Sequence, residues 1–403
     1  MKFSFKYLGP GIVVAATGIG AGDMIAAAVG GSSFGYSILW AVLVGAILKF
    51  VLNEGIGRWQ LETGTSVPEA WISKLPSVFK WYFLIYLILW SFIVAAALIA
   101  ATGLAAHSIW PVLSVNQWGI IHTILAAAFV LIGSYNYFEH VMKVLIAILF
   151  IIVLTSMFLI KPDLEGLFSG MVIPRIESGL VPYVMAIIGG VGGSVTLLSY
   201  GYWISEKNWN GRKYLQRIRI DLGVAYILTA VFGVAIIVIS ANLEPEVVKS
   251  NKIILAIANE IKDISGIWGY RGFLIGFWGA VFTSMLGVWQ GVPYLFADYM
   301  SIWKAKNTPL RDLSKTSAYK IYLLYLAIPP VLLLFLQKPV WLIMVYSVVG
   351  ALFMPFLAIS LLWISNKSKW MGENKSGILI NTALILSVIL FCYLATAELV
   401  RML

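Results

Sequence analysis

Asp23 follows three glycines, Gly18, Gly20 and Gly22, in the middle of an apolar stretch that begins at Gly9-Pro10-Gly11. A carboxylate at mid-membrane costs about 2.5–3.5 kcal/mol even on the gentler insertion scale, so one kept there is a candidate for function. What it could do is hold a cation. It could also cap a half-helix starting at Met24, where a carboxylate accepts from orphan backbone N–H groups and meets the positive dipole end. The two duties are compatible. A second cluster, Gly189, Gly190, Gly192 and Gly193, is followed by Ser194 and Thr196 in the place that Asp23 holds after the first. Hydroxyls of Thr17, Ser199 and Ser347 would add oxygens, as would carbonyls of unwound backbone about Gly20. The result would be a small oxygen-rich site of net charge about −1, suited to a cation.

Such a site needs long helices to carry it. Of the 403 residues, 61% are hydrophobic and 11% charged, against about 25% charged in a soluble domain. Runs of roughly 20 apolar residues, each enough to cross a ~30 Å hydrocarbon core, recur along the whole chain. Eleven spans are expected, at about 9–34, 36–57, 80–107, 117–135, 138–160, 181–204, 218–242, 271–298, 318–336, 340–364 and 378–399. The hydrophilic linkers between them are too short to fold alone, so residues 1–403 read as one transmembrane domain.

The two glycine clusters sit in corresponding places. Pro10 precedes Gly18 by 8 residues and Pro182 precedes Gly189 by 7, and spans 1 and 6 each open a set of five. Five is odd, so the two sets have opposite topology. The pattern is a 5+5 inverted repeat, about 9–160 and 181–364, with an extra helix at 378–399. Glycine-interrupted helices at matching positions in inverted halves point to a binding site near the midplane. Gly18-x-x-x-Gly22 and Gly189-x-x-x-Gly193 also fit close helix packing. Their matched placement favours breaks at Gly18, Gly22, Gly190, Gly192 and Gly193.

The net charge of +10 is spread over short loops rather than gathered into a stripe, which argues for topology signals and against nucleic acid. With the N-terminus cytoplasmic, the inner segments hold 19 of the 28 Lys and Arg and the outer ones 8, with Lys49 inside a span. That bias sets the orientation, in a bacterial-type plasma membrane. Cys392 is alone, so no internal disulfide forms. Lys49 and Glu54 read as snorkelling near the inner end of span 2. Asp221 reads as a carboxylate partnered by Arg217 and Arg219, Glu139 as a helix-end charge, and His107 and His122 as isolated. No nucleotide-binding loop, zinc motif or protease dyad is present, which argues against a pump or an enzyme, and no cofactor is called for.

The stretch from Gly9 to Trp40, GPGIVVAATGIGAGDMIAAAVGGSSFGYSILW, resembles the first helix of the Nramp divalent-metal transporters without a gap. The shared landmarks are Gly9-Pro10-Gly11, Gly22, Gly31-Ser32, Phe34-Gly35-Tyr36 and Leu39-Trp40; weaker likeness continues through Arg58, Gly64, Gly103, Glu139 and Met354-Pro355-Phe356. The resemblance implies an all-α membrane protein of LeuT type with helices 1 and 6 broken, and a divalent metal ion as cargo. The departures bear on the site. The family's Asp-Pro-Gly-Asn is replaced by Gly20-Ala21-Gly22-Asp23, and its Met-Pro-His by Thr196-Leu197-Leu198. Its span 3 acidic residues fall on Trp90, Ala97 and Ala100, and its span 10 glutamine on Ser347.

Losing the thioether shifts the preference toward hard ions, since carboxylate, hydroxyl and carbonyl oxygens suit Mg, Ca or Mn. Losing the acidic relay implies weak or absent proton coupling. The expectation is a secondary divalent-cation transporter of altered selectivity, with the ion and the bilayer as partners, for which a monomer suffices. The alternatives are a carrier of another small solute, an organic cation or amino acid, and a non-transporting sensor. An amino-acid carrier should offer free helix N-termini to a carboxylate, which Asp23 opposes; a sensor should carry a signalling domain.

Overall fold

In a computed structural model, residues 9–133, 135–175, 179–190, 193–248, 252–304 and 310–402 are described. The fold is all-α, with no strand among these residues. Nine helical runs among them are long and apolar enough to cross a membrane, one being Gly22–Thr63, which carries the end of span 1 into span 2. The short helix Pro10–Gly18 and the apolar Ile378–Leu394 supply the rest of the eleven expected segments. The chain is a multi-pass membrane protein.

Span 1 is two helices, Pro10–Gly18 and Ala21–Phe34, separated by Ile19 and Gly20. Proline at the first position of the first half has no N–H to leave unsatisfied and is preset in φ. Gly20 takes the extended conformation at the start of the second half. Span 6 is likewise divided, into Val181–Gly190 and Ser199–Glu206 joined by a 3₁₀ turn at Val195–Leu198. Gly193 supplies the left-handed bend, at φ +84°. Gly192 lies outside the described residues. Three expected break residues belong to helices: Gly18 is the last residue of the first half of span 1, Gly22 the second residue of its second half, and Gly190 the last of the first half of span 6.

Three boundaries differ from expectation. Span 2 runs Leu39–Thr63, six residues beyond the expected end at 57, and stops at Gly64 in the left-handed conformation. Span 3 begins at Ser77. The supposed linker before span 8 is mostly helix: Ile253–Trp303 is one long run interrupted at Gly266. Its start buries Ile253, Ile254, Ile257 and Ile261, an apolar stripe at helical spacing.

The second half of span 1 packs on the first half of span 6, on span 7 (Leu215–Ser240) and on span 10 (Pro339–Ala351, continued by Phe353–Ile364). The first half packs on spans 5, 7 and 8. The two broken helices therefore lie inside the bundle, where irregular backbone is tolerated because protein groups can satisfy it.

The basic end of the bundle is laced by buried charge. Glu54 accepts from Arg219 at 2.8 Å and pairs with Arg58 at 3.3 Å, so it is a network member and not a snorkelling group. Glu139 joins Lys143 and, at 2.6 Å, Lys207 of the loop after span 6. Asp221 departs from its expected arginine partners. It accepts from the backbone N–H groups of Gly9 (2.9 Å) and Gly11 (2.6 Å) and from the Tyr200 hydroxyl (3.2 Å), so it pins the start of span 1. His122 takes a structural place, its Nε2 accepting from Trp278 at 2.9 Å.

Candidate functional site

The central site begins with what the interruption of span 1 exposes. A helix that stops leaves its last carbonyls without partners. Here the Ala16 carbonyl accepts from the Thr283 hydroxyl at 3.2 Å and the Thr17 carbonyl from the Ser284 hydroxyl at 2.7 Å, both on span 8. Ser284 can approach because Gly20 has no side chain; a Cβ there would collide with it. The Thr17 hydroxyl is turned back onto the Val13 carbonyl at 2.7 Å.

Asp23 lies in the third position of the second half-helix, 4% exposed. Gly20 takes the cap position and no side chain caps that helix. The capping reading, in which the helix starts at Met24, is therefore corrected, while the favourable placement of a negative charge in the first turn stands. Asp23 faces the end of the first half of span 6: a Cβ on Gly190 would come within 2.9 Å of its Oδ1. The fold thus brings the carboxylate of one broken helix against the interruption of the other.

Beside them, with Gly190 in its wall and Asp23 outside it, is a cavity of about 20 Å³ lined by Thr17, Gly18, Trp90, Gly193, Ser194, Thr196, Ser284 and Tyr346, among others. That is room for about one water-sized particle. Ser347 lies next to this cavity rather than in its wall; its hydroxyl donates to Ile343 at 3.0 Å, and it abuts both Gly22 and Gly189. Ser199 is placed elsewhere. It packs against Gly291 of span 8 at the start of the second half of span 6, away from the cavity wall. Trp90 offers the cavity an indole N–H with no hydrogen-bond partner among the described residues.

The residue that the sequence reading missed is Lys49. It is 1% exposed, and its ammonium donates to the Gly189 carbonyl at 2.7 Å and to the Gly193 carbonyl. These carbonyls flank the interruption of span 6 as Ala16 and Thr17 precede that of span 1. The centre thus holds an amine as well as the Asp23 carboxylate, where a carboxylate alone was expected. A usable signal existed. Lys49 is the eleventh residue of a helix of 25, so it stands ~15 Å from one end and ~20 Å from the other at 1.5 Å per residue. No lysine stem spans that distance. Ending span 2 at 57 had moved Lys49 toward the membrane surface and made snorkelling look sufficient.

A second, larger cavity of about 720 Å³ opens at the basic end, between the turn joining spans 4 and 5, the end of span 6, span 8 and the start of span 9. Glu206, Gln290, Tyr294 and Tyr319 line it.

A family model described as natural resistance-associated macrophage protein-like, Nramp, matches residues 11–401. Among curated proteins, the chain is 23% identical to the metal transporter Nramp1 of Oryza sativa subsp. japonica over 94% of its own length and 75% of that protein. It is 24% identical to the divalent metal cation transporter MntH of Listeria welshimeri over 52% of its length, where the aligned part spans about half (47%) of that protein. Among solved structures, a variant of the Eremococcus coleocola manganese transporter matches with a TM-score of 0.76 at 15% identity, covering 96% of this chain and 85% of that one. MhsT in complex with L-phenylalanine matches with a TM-score of 0.60 at 15% identity, covering 96% and 97%. The chain belongs to the Nramp family, and the fold is the inverted-repeat transporter fold with helices 1 and 6 broken.

Proposed function

We propose, from the premise of Nramp membership, that this protein is a secondary transporter of a divalent metal cation and not an enzyme. The cation passes between the two broken helices. One observation carries the reading: Asp23 of span 1 meets the interruption of span 6 beside an ion-sized cavity walled by Ser194, Thr196 and Ser284. A divalent ion shedding water needs at least one anionic partner to offset its desolvation, and Asp23 is the carboxylate in place. The oxygen-only donors favour a hard ion such as Mg or Mn. Trp90, Ala97 and Ala100 in span 3 offer no carboxylate for a proton relay, so uptake runs without stoichiometric proton flux.

The Lys and Arg bias of the loops argues for a cytoplasmic N-terminus, which would make the cavity at the basic end a cytoplasmic vestibule. A monomer contains every group invoked. Cysteines introduced in the 205–217 linker should resist labelling from outside intact cells; labelling there overturns the orientation.

The test of the activity is uptake into proteoliposomes against a panel of divalent ions, with internal metal-sensitive and pH-sensitive dyes. Uptake of at least one ion by the wild type, lost in Asp23→Asn, is the expected result. Uptake of none overturns the metal reading.

A second reading, a carrier of a neutral or zwitterionic solute, is favoured by Lys49 and the Trp90 N–H. Both present donors where a metal needs acceptors. Thermal stabilisation by such a solute, in protein that takes up no metal, would establish it.

A further inference from the structure

The break in span 6 is met by an amine that belongs to the chain itself. Orphan carbonyls at the end of a half-helix, converging with those of unwound backbone, make an ion seat in transporters of this architecture. The negative end of the half-helix dipole adds to its attraction for positive charge. Here the Gly189 and Gly193 carbonyls form such a seat, and the Lys49 ammonium sits on both. Burial of the whole side chain, against the cost of an ionised amine away from water, requires a partner of this kind. The other interruption needs no ion, because span 8 hydroxyls take its carbonyls.

We propose that Lys49 is a specificity-determining residue: its ammonium takes the place of a free cation on the span 6 carbonyls and holds down the affinity of the centre for divalent ions. A metal arriving beside Asp23 finds the Gly189 and Gly193 carbonyls engaged and a tethered amine as neighbour. Closure of the site around span 6 accordingly depends on no dissolved monovalent ion. The effect on metal affinity rests on the transport reading above; the seating of Lys49 as a tethered cation does not.

The experiment uses the full-length protein in detergent, as wild type and as Lys49→Met, which keeps the apolar stem and removes the charge. Thermal unfolding is followed at constant ionic strength in N-methylglucamine, sodium, potassium or methylammonium chloride, and Mn²⁺ and Mg²⁺ binding by calorimetry. The wild-type Tm should be the same in all four salts. Lys49→Met should unfold earlier in N-methylglucamine, recover in at least one small cation, and bind Mn²⁺ at least tenfold more tightly than wild type. A variant whose stability ignores the cation and whose Mn²⁺ affinity equals that of wild type overturns the proposal. Recovery by a small cation with no divalent binding in either protein keeps the tethered cation and removes the metal reading. Equal Mn²⁺ binding with cation-dependent recovery keeps the seat and overturns the control of affinity. If Lys49→Met does not purify, recovery only in a small cation, or only when paired with Asp23→Asn, supports the proposal; failure under all of these overturns it.

Discussion

The two interrupted helices solve one problem in two ways. Both stop in the middle of the bundle and leave carbonyls without helical partners. In span 1 the donors are neutral hydroxyls, Thr283 and Ser284, from span 8. In span 6 the donor is a charged amine, Lys49, from span 2. A 5+5 inverted repeat relates span 8 to span 3 and span 2 to span 7, so exact symmetry would give span 6 hydroxyls from span 3. Instead the span 3 residues that reach the cavity beside that break are Trp90, Val94 and Leu98, none of which carries a hydroxyl. The difference teaches that pseudo-symmetry of backbone does not extend to electrostatics. One break is met by neutral hydroxyls; the other is met by an amine, with the Asp23 carboxylate packed near Gly190.

The most severe way to break this comparison is Asp23→Asn, which keeps size but removes the buried carboxylate at the centre. Uptake should fall roughly tenfold to a hundredfold, the equivalent of about 1.5–3 kcal/mol for a hydrogen bond to a charged group. Proteoliposome flux at matched protein density is the measurement. Undiminished flux would leave Asp23 as a helix-end charge and deprive the cation reading of its anion.

Ser284→Ala probes the neutral break. It strands the buried Thr17 carbonyl, at a cost of about 1–3 kcal/mol. Chemical denaturation should show that loss whichever salt is present, in contrast to Lys49→Met. A loss that depends on the cation would mean that both breaks bind ions and that the asymmetry is false.

Gly193→Ala should be the mildest. At φ +84° a Cβ costs about 1–2 kcal/mol, and its nearest neighbour would be Thr196. The same assay measures it. No destabilisation would show that the bend can relax, and that the Gly193 carbonyl is not held where Lys49 meets it.

The network at the basic end sharpens the contrast. Glu54, Glu139 and Asp221 are buried, yet each is matched by arginines, lysines, backbone amides or a tyrosine hydroxyl within its own neighbourhood. Asp221 was legible as a partnered charge, but not its partner. The nearby arginines in sequence, Arg217 and Arg219, point elsewhere; Arg219 serves Glu54. The amides that hold Asp221 come from residues 212 and 210 positions away, which no local pattern encodes.

What the sequence determined alone is the part that depends on local physics. Apolar run length sets which segments can lie in a membrane, glycine and proline placement marks the stretches within which helices 1 and 6 are interrupted, and a lone carboxylate in such a stretch marks itself by its desolvation cost. The Gly9–Trp40 resemblance added the family, which the match over residues 11–401 shows. The exact break, Ile19 and Gly20 rather than Gly18 or Gly22, needed the structure, because glycine permits helix as well as interruption and the neighbours Ser284 and Tyr346 decide between them. From the sequence Lys49 reads as snorkelling near the inner end of span 2, whereas its partners lie 140 and 144 residues away. Only tertiary structure could bring those carbonyls to the ammonium. The charge of a buried site is a sum over groups that meet in space, and sequence order carries no record of that sum.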